Sequence, residues 1–212
     1  MTQSDPEKHR RRLEALGRIS PAVAHDINNL LSGIMGYSQM AQGDPGKEEL
    51  NLCLEEIEKA GRRIASLARI LQTWSPRAPD QPGTVDLNAV IADLEKYLRL
   101  LVGPETRFRF TPTADLPPAR ADSTLLRRAL LGLAVDAASL QLEGGALSLE
   151  TRPAAGARVL LLATLSGTPA PDPGALVSDD IGEIVETYGG EMELAPREGP
   201  TALHLYLPAA TR

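Results

Sequence analysis

The chain has 212 residues, 42% of them hydrophobic and 24% charged, enough to bury a core without help from a disulfide or a metal. Its 28 acidic and 22 basic residues leave a net charge of -6, which disfavours nonspecific nucleic-acid binding, and an aromatic content of 3% leaves little for base stacking. One cysteine, Cys53, excludes an internal disulfide framework and a multi-cysteine zinc site, so a reducing compartment and a cytoplasmic location are expected. No apolar run approaches the roughly 18 residues that span a bilayer, and the start, MTQSDPEKHRRRLEALGR, has no signal-like apolar region. No direct membrane insertion is expected.

From about Glu7 to Ala41 a three-four alternation runs through Leu13, Leu16, Ser20, Val23, Ile27, Leu30, Ile34, Tyr37 and Ala41, the seam of a long helix. Gly43-Asp44-Pro45-Gly46 supplies the break and turn. From Lys47 to about Trp74 the alternation resumes at Leu50, Leu54, Ile57, Gly61, Ile64, Ala68 and Leu71. The two helices predict a hairpin, and two hairpins side by side would close a four-helix bundle, so a homodimer is expected.

Ser75 to Gly83 holds three prolines and reads as a linker. The division is then a hairpin over residues 1–75, a linker over 76–84 and a second domain over 85–212. In that domain Asp86 and Asp122 are placed to cap helices carrying Leu87, Val90, Ile91, Leu94 and Leu98, and Leu125, Leu126, Ala129, Leu130 and Leu133. Strand-like runs cover Arg107 to Thr111, Ala146 to Thr151, Arg158 to Leu165, Glu191 to Ala195 and Ala202 to Leu207, with a helix from Asp179 to Tyr188. The fold class is α+β: an antiparallel helical hairpin dimerising into a four-helix bundle, followed by a two-layer α/β sandwich.

The first-helix seam puts His25 on the outer face of the bundle, at seven-residue spacing with Arg11, Arg18 and Ser32, with Asp26 beside it and Asn29 one turn on. A lone histidine there is ordinary solvated surface. The string Leu16 to Tyr37, with His25-Asp26-Ile27-Asn28-Asn29-Leu30-Leu31 at its centre, resembles the phosphoacceptor box of the histidine-kinase superfamily in its HDxNNLL form. The resemblance implies that His25 is phosphorylated, that Asp26 orients and deprotonates it, and that Asn29 assists phosphoryl transfer or hydrolysis. The residue types suit those roles: a neutral imidazole is a nucleophile, and a neighbouring carboxylate holds the proton on one ring nitrogen so that the other presents its lone pair. Arg18 is a candidate for neutralising phosphoryl oxygens and is equally read as surface charge. Pro21 removes one helical hydrogen bond. Cys53 reads as a packing residue, Trp74 as packing at the domain junction, and His9 and His204 as structural or surface residues.

The second half resembles the GHKL-type ATPase domain of the same superfamily at Val85-Asp86-Leu87-Asn88, Asp115 to Asp122, Gly144 to Leu149, Tyr188 to Glu193 and Leu205 to Pro208. The nucleotide motifs depart from the family's. Where it has NLxxNA, with magnesium on the second asparagine, this chain has Gly132-Leu133-Ala134-Val135-Asp136-Ala137; where it has DxGxG, Leu165-Ser166-Gly167-Thr168-Pro169. Leucine accepts no hydrogen bond from adenine, and proline has no amide to donate. The glycine-rich phosphate segment is replaced by Pro171 to Asp180, ending in two acids. Asp136 is a weak magnesium candidate. No other metal-ligand spacing is present, and no resident cofactor is expected.

The leading expectation is accordingly a histidine phosphotransferase of a two-component phosphorelay. Without ATP hydrolysis, His25 would take a phosphoryl group from one receiver-domain aspartate and pass it to another, with Mg2+ supplied by the receiver. Response-regulator receiver domains and a second copy of the chain are the expected partners. Two other readings are an ATP-dependent sensor histidine kinase, or a fragment of one, with a divergent nucleotide site, and a noncatalytic dimeric scaffold or inhibitor of a kinase or receiver.

Overall fold

The computed structural model describes residues 6–43, 45–72, 83–195 and 200–210; Trp74 and most of the proline-rich stretch lie outside them. The chain divides into two compact units, one of Leu16–Ser75 and the other of Met1–Ala15 with Pro76–Arg212.

The first unit is a helical hairpin. Helix α1 spans Pro6–Gln42, with Pro21 inside it, and α2 spans Lys47–Gln72. The Gly43 amide closes the end of α1 on the Met40 carbonyl at 3.1 Å, and the first turn of α2 bonds the Leu50 amide to the Gly46 carbonyl at 2.9 Å. Glu48 and Glu49 sit in that first turn, where the helix dipole favours acids. Ile19, Val23, Cys53, Leu67 and Ile70 are buried, whereas Leu13 and Leu54 of the expected seam are more than half exposed. A seven-residue repeat slips about 20° per heptad against a straight 3.6-residue helix. A seam anchored at Ile27 therefore drifts, and Ile19 takes the position that the alternation gives to Ser20. The Ser20 hydroxyl instead donates to the Leu16 carbonyl at 2.7 Å.

The second unit is a five-stranded sheet with its helices on one face. In chain order it comprises β1 Gly83–Val85, α3 Leu87–Val102, β2 Arg107–Thr111, β3 Ala119–Ala121, α4 Ser123–Ser139, β4 Glu143–Ala154, β5 Arg158–Thr168, a 3-10 turn at Pro173–Leu176, α5 Asp179–Tyr188, β6 Glu191–Leu194 and β7 Thr201–Pro208. The main sheet has order β2-β4-β5-β7-β6, and β1 pairs with β3 separately. Strands β2 and β4 run parallel and the other neighbours antiparallel. A parallel pair needs a crossover, and α4 provides it. The strand runs alternate as the sequence predicts: Leu147, Leu149, Val159, Leu161, Ala163, Leu165, Leu203, Leu205 and Leu207 are buried, while Ser148, Glu150, Leu160, Leu162, Thr164, His204 and Tyr206 form the opposite, half-buried face. Each fully buried aliphatic side chain contributes roughly 1.5–3 kcal/mol.

Capping fixes where the helices begin. Asp86 accepts from the Ala89 amide at 3.0 Å, and Asp122 accepts from Thr124 and Leu125 at 2.6 and 2.9 Å. Ser178 accepts from Ile181 at 3.3 Å. Helix α5 stops at Gly189 in the left-handed region, φ 69°, and the next residue has to be glycine for a different reason. A Cβ on Gly190 would lie 2.8 Å from the Tyr206 carbonyl oxygen.

Helix α4 is locked to α5 by charge. The Arg128 guanidinium bonds both Asp180 and Glu183 at 2.7 Å, and the Asp180 side chain is 5% exposed. Removing Arg128 takes its counter-charge from the nearly buried Asp180 carboxylate, and breaking such a pair is costly. Arg128→Ala is expected to cost about 3 kcal/mol, read from hydrogen exchange of core amides in β5. The double variant Arg128→Ala/Asp180→Ala is expected to recover most of that loss; equal destabilisation by both variants would contradict the pairing argument.

Candidate functional site

His25 stands in the middle of α1 with its side chain 72% exposed. Its Nδ1 lies 3.2 Å from the Asn29 side-chain amide nitrogen, one helical turn on, and 3.6 Å from Oδ1 of Asp26, whose side chain is 23% exposed. Spacing by four residues stacks Asn29 against His25 on one face; Asp26 reaches the same nitrogen from the neighbouring position. A half-turn of the Asn29 amide brings its oxygen to Nδ1, so that both residues can accept from an Nδ1–H. Nε2 is then the nitrogen that carries the lone pair. In that tautomer the imidazole is open to a large partner and bears its proton on Nδ1, beside Asp26 and Asn29.

Arg18 and Ser32 are exposed on α1 seven residues to either side of His25, about 10 Å along the helix axis. Ser32 donates to the Asn28 carbonyl at 3.0 Å. The structure thus brings together His25, Asp26 and Asn29, and places Arg18 two turns away.

The residues singled out in the second unit are distributed differently. Gly132 and Asp136 lie one turn apart on α4, both half-buried. Leu165 is fully buried in β5, and Ser166, Gly167 and Thr168 continue that strand instead of opening into a loop. A Cβ on Gly167 would come within 2.5 Å of the Leu142 Cβ. The α4 side chains Leu126, Ala129, Leu130 and Leu133 close on Leu161, Ala163, Ile181, Leu203 and Leu205 with only about 10 Å³ of space between them. No group of three or more His, Cys, Asp or Glu side chains among the described residues is placed to hold a metal.

A nucleoside triphosphate held as the family resemblance implies does not fit these residues. Leu165 offers no acceptor to adenine and Pro169 no amide. The start of α5, where an anion would meet backbone amides, presents Asp180 clamped to Arg128. That clamp was not legible in the sequence: Arg128 is 52 and 55 residues from its two partners, and neither short acidic spacing nor helical periodicity connects them.

His204 lies on the half-buried outer face of β7, its ring edge-on to Tyr206 with centroids 6.3 Å apart, as a structural histidine does. Cys53 is a free, buried thiol. His9 lies in α1, and its side chain is outside the described ones. Among the described residues, no helix is long and apolar enough to cross a membrane.

Hairpin, exposed histidine and α/β sheet define a class: a phosphoacceptor helix pair followed by a kinase-type α/β domain. The chain belongs to the histidine-kinase superfamily, and its residues 15–75 match the His Kinase A (phospho-acceptor) domain. It is 33% identical to the sensor kinase CckA of Brucella abortus (strain 2308) over 70% of this chain and 16% of that protein. It is 28% identical to the sensor histidine kinase ZraS of Salmonella typhimurium (strain LT2) over 98% of this chain and 49% of that protein. Among solved structures, full-length ShkA in complex with AMPPNP superposes with a TM-score of 0.52 at 16% identity, covering 92% of this chain and 46% of that one, a likeness of fold alone. The chain spans half or less of the length of these relatives.

These relatives overturn the leading expectation from sequence. The departures at Leu165, Pro169 and Gly132 pointed to a phosphotransferase working without ATP. The proteins that this chain resembles over most of its length are sensor histidine kinases, which favours the ATP-dependent reading.

Proposed function

We propose that the chain is the core of an ATP-dependent sensor histidine kinase with a divergent nucleotide site, in which Nε2 of His25 accepts the phosphoryl group. Asp26 is the base and orienting carboxylate, Asn29 steadies the ring through Nδ1, and Arg18 is the candidate cation for the phosphoryl oxygens. A receiver-domain aspartate, with its own Mg2+, is the proposed destination of the phosphoryl group. A second copy of the chain is the proposed partner of the hairpin, supported by large apolar side chains left in water on α1 and α2: Leu31, Met35, Met40, Leu52 and Leu54 are each 43% exposed or more.

The observation that carries the reading is the disposition of His25, its side chain 72% exposed with the Asn29 side-chain amide and the Asp26 carboxylate both gathered at Nδ1. Transfer then forms one Nε2–P bond as the donor's P–O bond breaks, and the Nδ1 proton, shared with Asp26, limits the positive charge that builds on the ring. An exposed nucleophile on a stiff helix suits phosphoryl chemistry, which depends mainly on alignment and charge neutralisation. The test is incubation of the purified chain with Mg2+ and γ-labelled ATP. Label that is acid-labile and base-stable is expected on the chain. Its absence from folded protein, while a phosphorylated receiver delivers label readily, would count against ATP as the donor.

A further inference from the structure

A further concave feature of the second unit lies away from the α4–α5 region. It is a groove of about 650 Å³ on the outer side of β2 and β4, bounded by the end of α3 and by Gly103 and Pro104. That volume is in the range of small-ligand sites. Three arginines line it, Arg99, Arg107 and Arg109, together with Ser148 and Glu150. In a chain of net charge -6, three guanidinium groups in one groove are a local reversal of sign.

The three differ in how they are held. Arg99 is fixed: it donates to the Phe108 carbonyl at 2.9 Å and to Glu95 at 2.6 Å, and its guanidinium lies 5.4 Å from the centre of the Phe108 ring. Arg107 and Arg109 are exposed and, unlike Arg99, Arg127, Arg128, Arg152 and Arg158 in the same unit, have no carboxylate partner among the described residues. They sit two residues apart on β2, so both side chains project from the same face with their Cα atoms about 6.7 Å apart. Their cross-strand neighbours are small: Arg107 is opposite Ala146, and Arg109 is opposite Ser148. The floor between the guanidinium groups is therefore open, and Ser148 adds a hydroxyl to it. The one acid in the lining, Glu150, is bonded to Arg152 at 2.6 Å, which offsets its charge toward a ligand.

Charged side chains on an edge strand often serve to prevent pairing with another sheet. On β2 it is Arg99 that bonds a backbone carbonyl, that of Phe108. Arg107 and Arg109 project from the sheet face, where they guard no backbone group.

The geometry points to an oligophosphate-binding site in this groove: a small molecule bearing two or more linked phosphates, held by Arg107 and Arg109, with Arg99 as the preformed third cation and Ser148 as a neutral donor. Guanidinium groups bind phosphate oxygens through paired, charge-assisted hydrogen bonds, and linked phosphates fit a row of cations better than a single one does. The site is independent of the assignment of His25 and needs no catalytic step.

Calorimetry on the full chain tests it with pyrophosphate, ATP and adenosine, each without added metal ion. Pyrophosphate and ATP are expected to bind and adenosine not to, with affinity falling as salt rises. Arg107→Ala/Arg109→Ala is expected to weaken pyrophosphate binding by roughly a hundredfold, about tenfold per guanidinium. Arg120→Ala, which removes an exposed arginine of β3 outside the groove, is expected to leave binding unchanged. The proposal is overturned if pyrophosphate does not bind, if the Arg120 variant weakens pyrophosphate binding as much as the double variant, or if pyrophosphate binding survives in the double variant. ATP binding that survives there while pyrophosphate binding is lost would mean a separate nucleotide site and would leave the groove an oligophosphate site. Because binding is read directly, an unlabelled His25 bears on the kinase reading and not on this one.

Discussion

His25→Gln is expected to abolish phosphorylation of the chain, a loss of at least about a thousandfold against the wild type, because it removes the reacting nitrogen and leaves nothing of similar nucleophilicity in its place. Glutamine keeps a helix-compatible side chain of similar reach. With 72% of the histidine side chain in water, the substitution is expected to change stability by no more than about 0.5 kcal/mol. The two readouts separate chemistry from folding: label lost with an unchanged unfolding midpoint supports the role. Label retained in the variant would assign the phosphoryl group to another residue.

Asp26→Asn is expected to lower the phosphorylation rate by about 10²–10⁴-fold, the usual range for a positioned acid–base group. The carboxylate lies 3.6 Å from Nδ1, just outside hydrogen-bond distance, so a small side-chain rotation brings it into contact. Asparagine has nearly the same shape but carries no negative charge, and its amide can turn a donor toward Nδ1 and so favour the tautomer with the proton on Nε2, the wrong nitrogen. A purely structural role would leave the rate unchanged. Asn29→Ala removes a neutral neighbour at 3.2 Å, and a smaller loss, about tenfold, is expected. The ordering Asp26 before Asn29, measured as initial rates at saturating donor, distinguishes charge stabilisation from simple ring packing.

Much of the fold was legible because it rests on local patterns. Strand β2 and helix α5 fall on the residues that alternation and capping predicted, Arg107–Thr111 and Asp179–Tyr188, and Asp86 and Asp122 cap as their positions suggested. What was missed depends on pairings that sequence spacing does not encode. Strands β1 and β3 have three residues each and are defined by each other. Strand β5 runs on to Thr168 because β4 continues to pair with it through Ala146 and Glu143. The hydrogen bonds that join Asn88, Thr113 and Thr151, such as Thr151 Oγ1 to Asn88 Oδ1 at 2.6 Å, span up to 63 residues.

For the site, the HDxNNLL string located His25, Asp26 and Asn29, since all three lie within five residues on one helix. Sequence did not show that Asp26 and Asn29 converge on the same ring nitrogen. It also missed the arginine groove: Arg99, Arg107 and Arg109 gather only because the end of α3 folds back beside β2. The leading expectation that the relatives contradict concerns the donor. Leu165, Pro169 and Asp180 describe how a nucleotide is not held, whereas the likeness to sensor histidine kinases, over 98% of this chain in the case of ZraS, favours a kinase.

Phosphorus NMR of the chain after incubation with Mg2+ and ATP tests the account most directly. It predicts a phosphoramidate resonance of Nε2-phosphohistidine, missing in His25→Gln and strongly reduced in Asp26→Asn. An acid-stable phosphoester signal, or a phosphoramidate that persists when His25 is replaced, would contradict it.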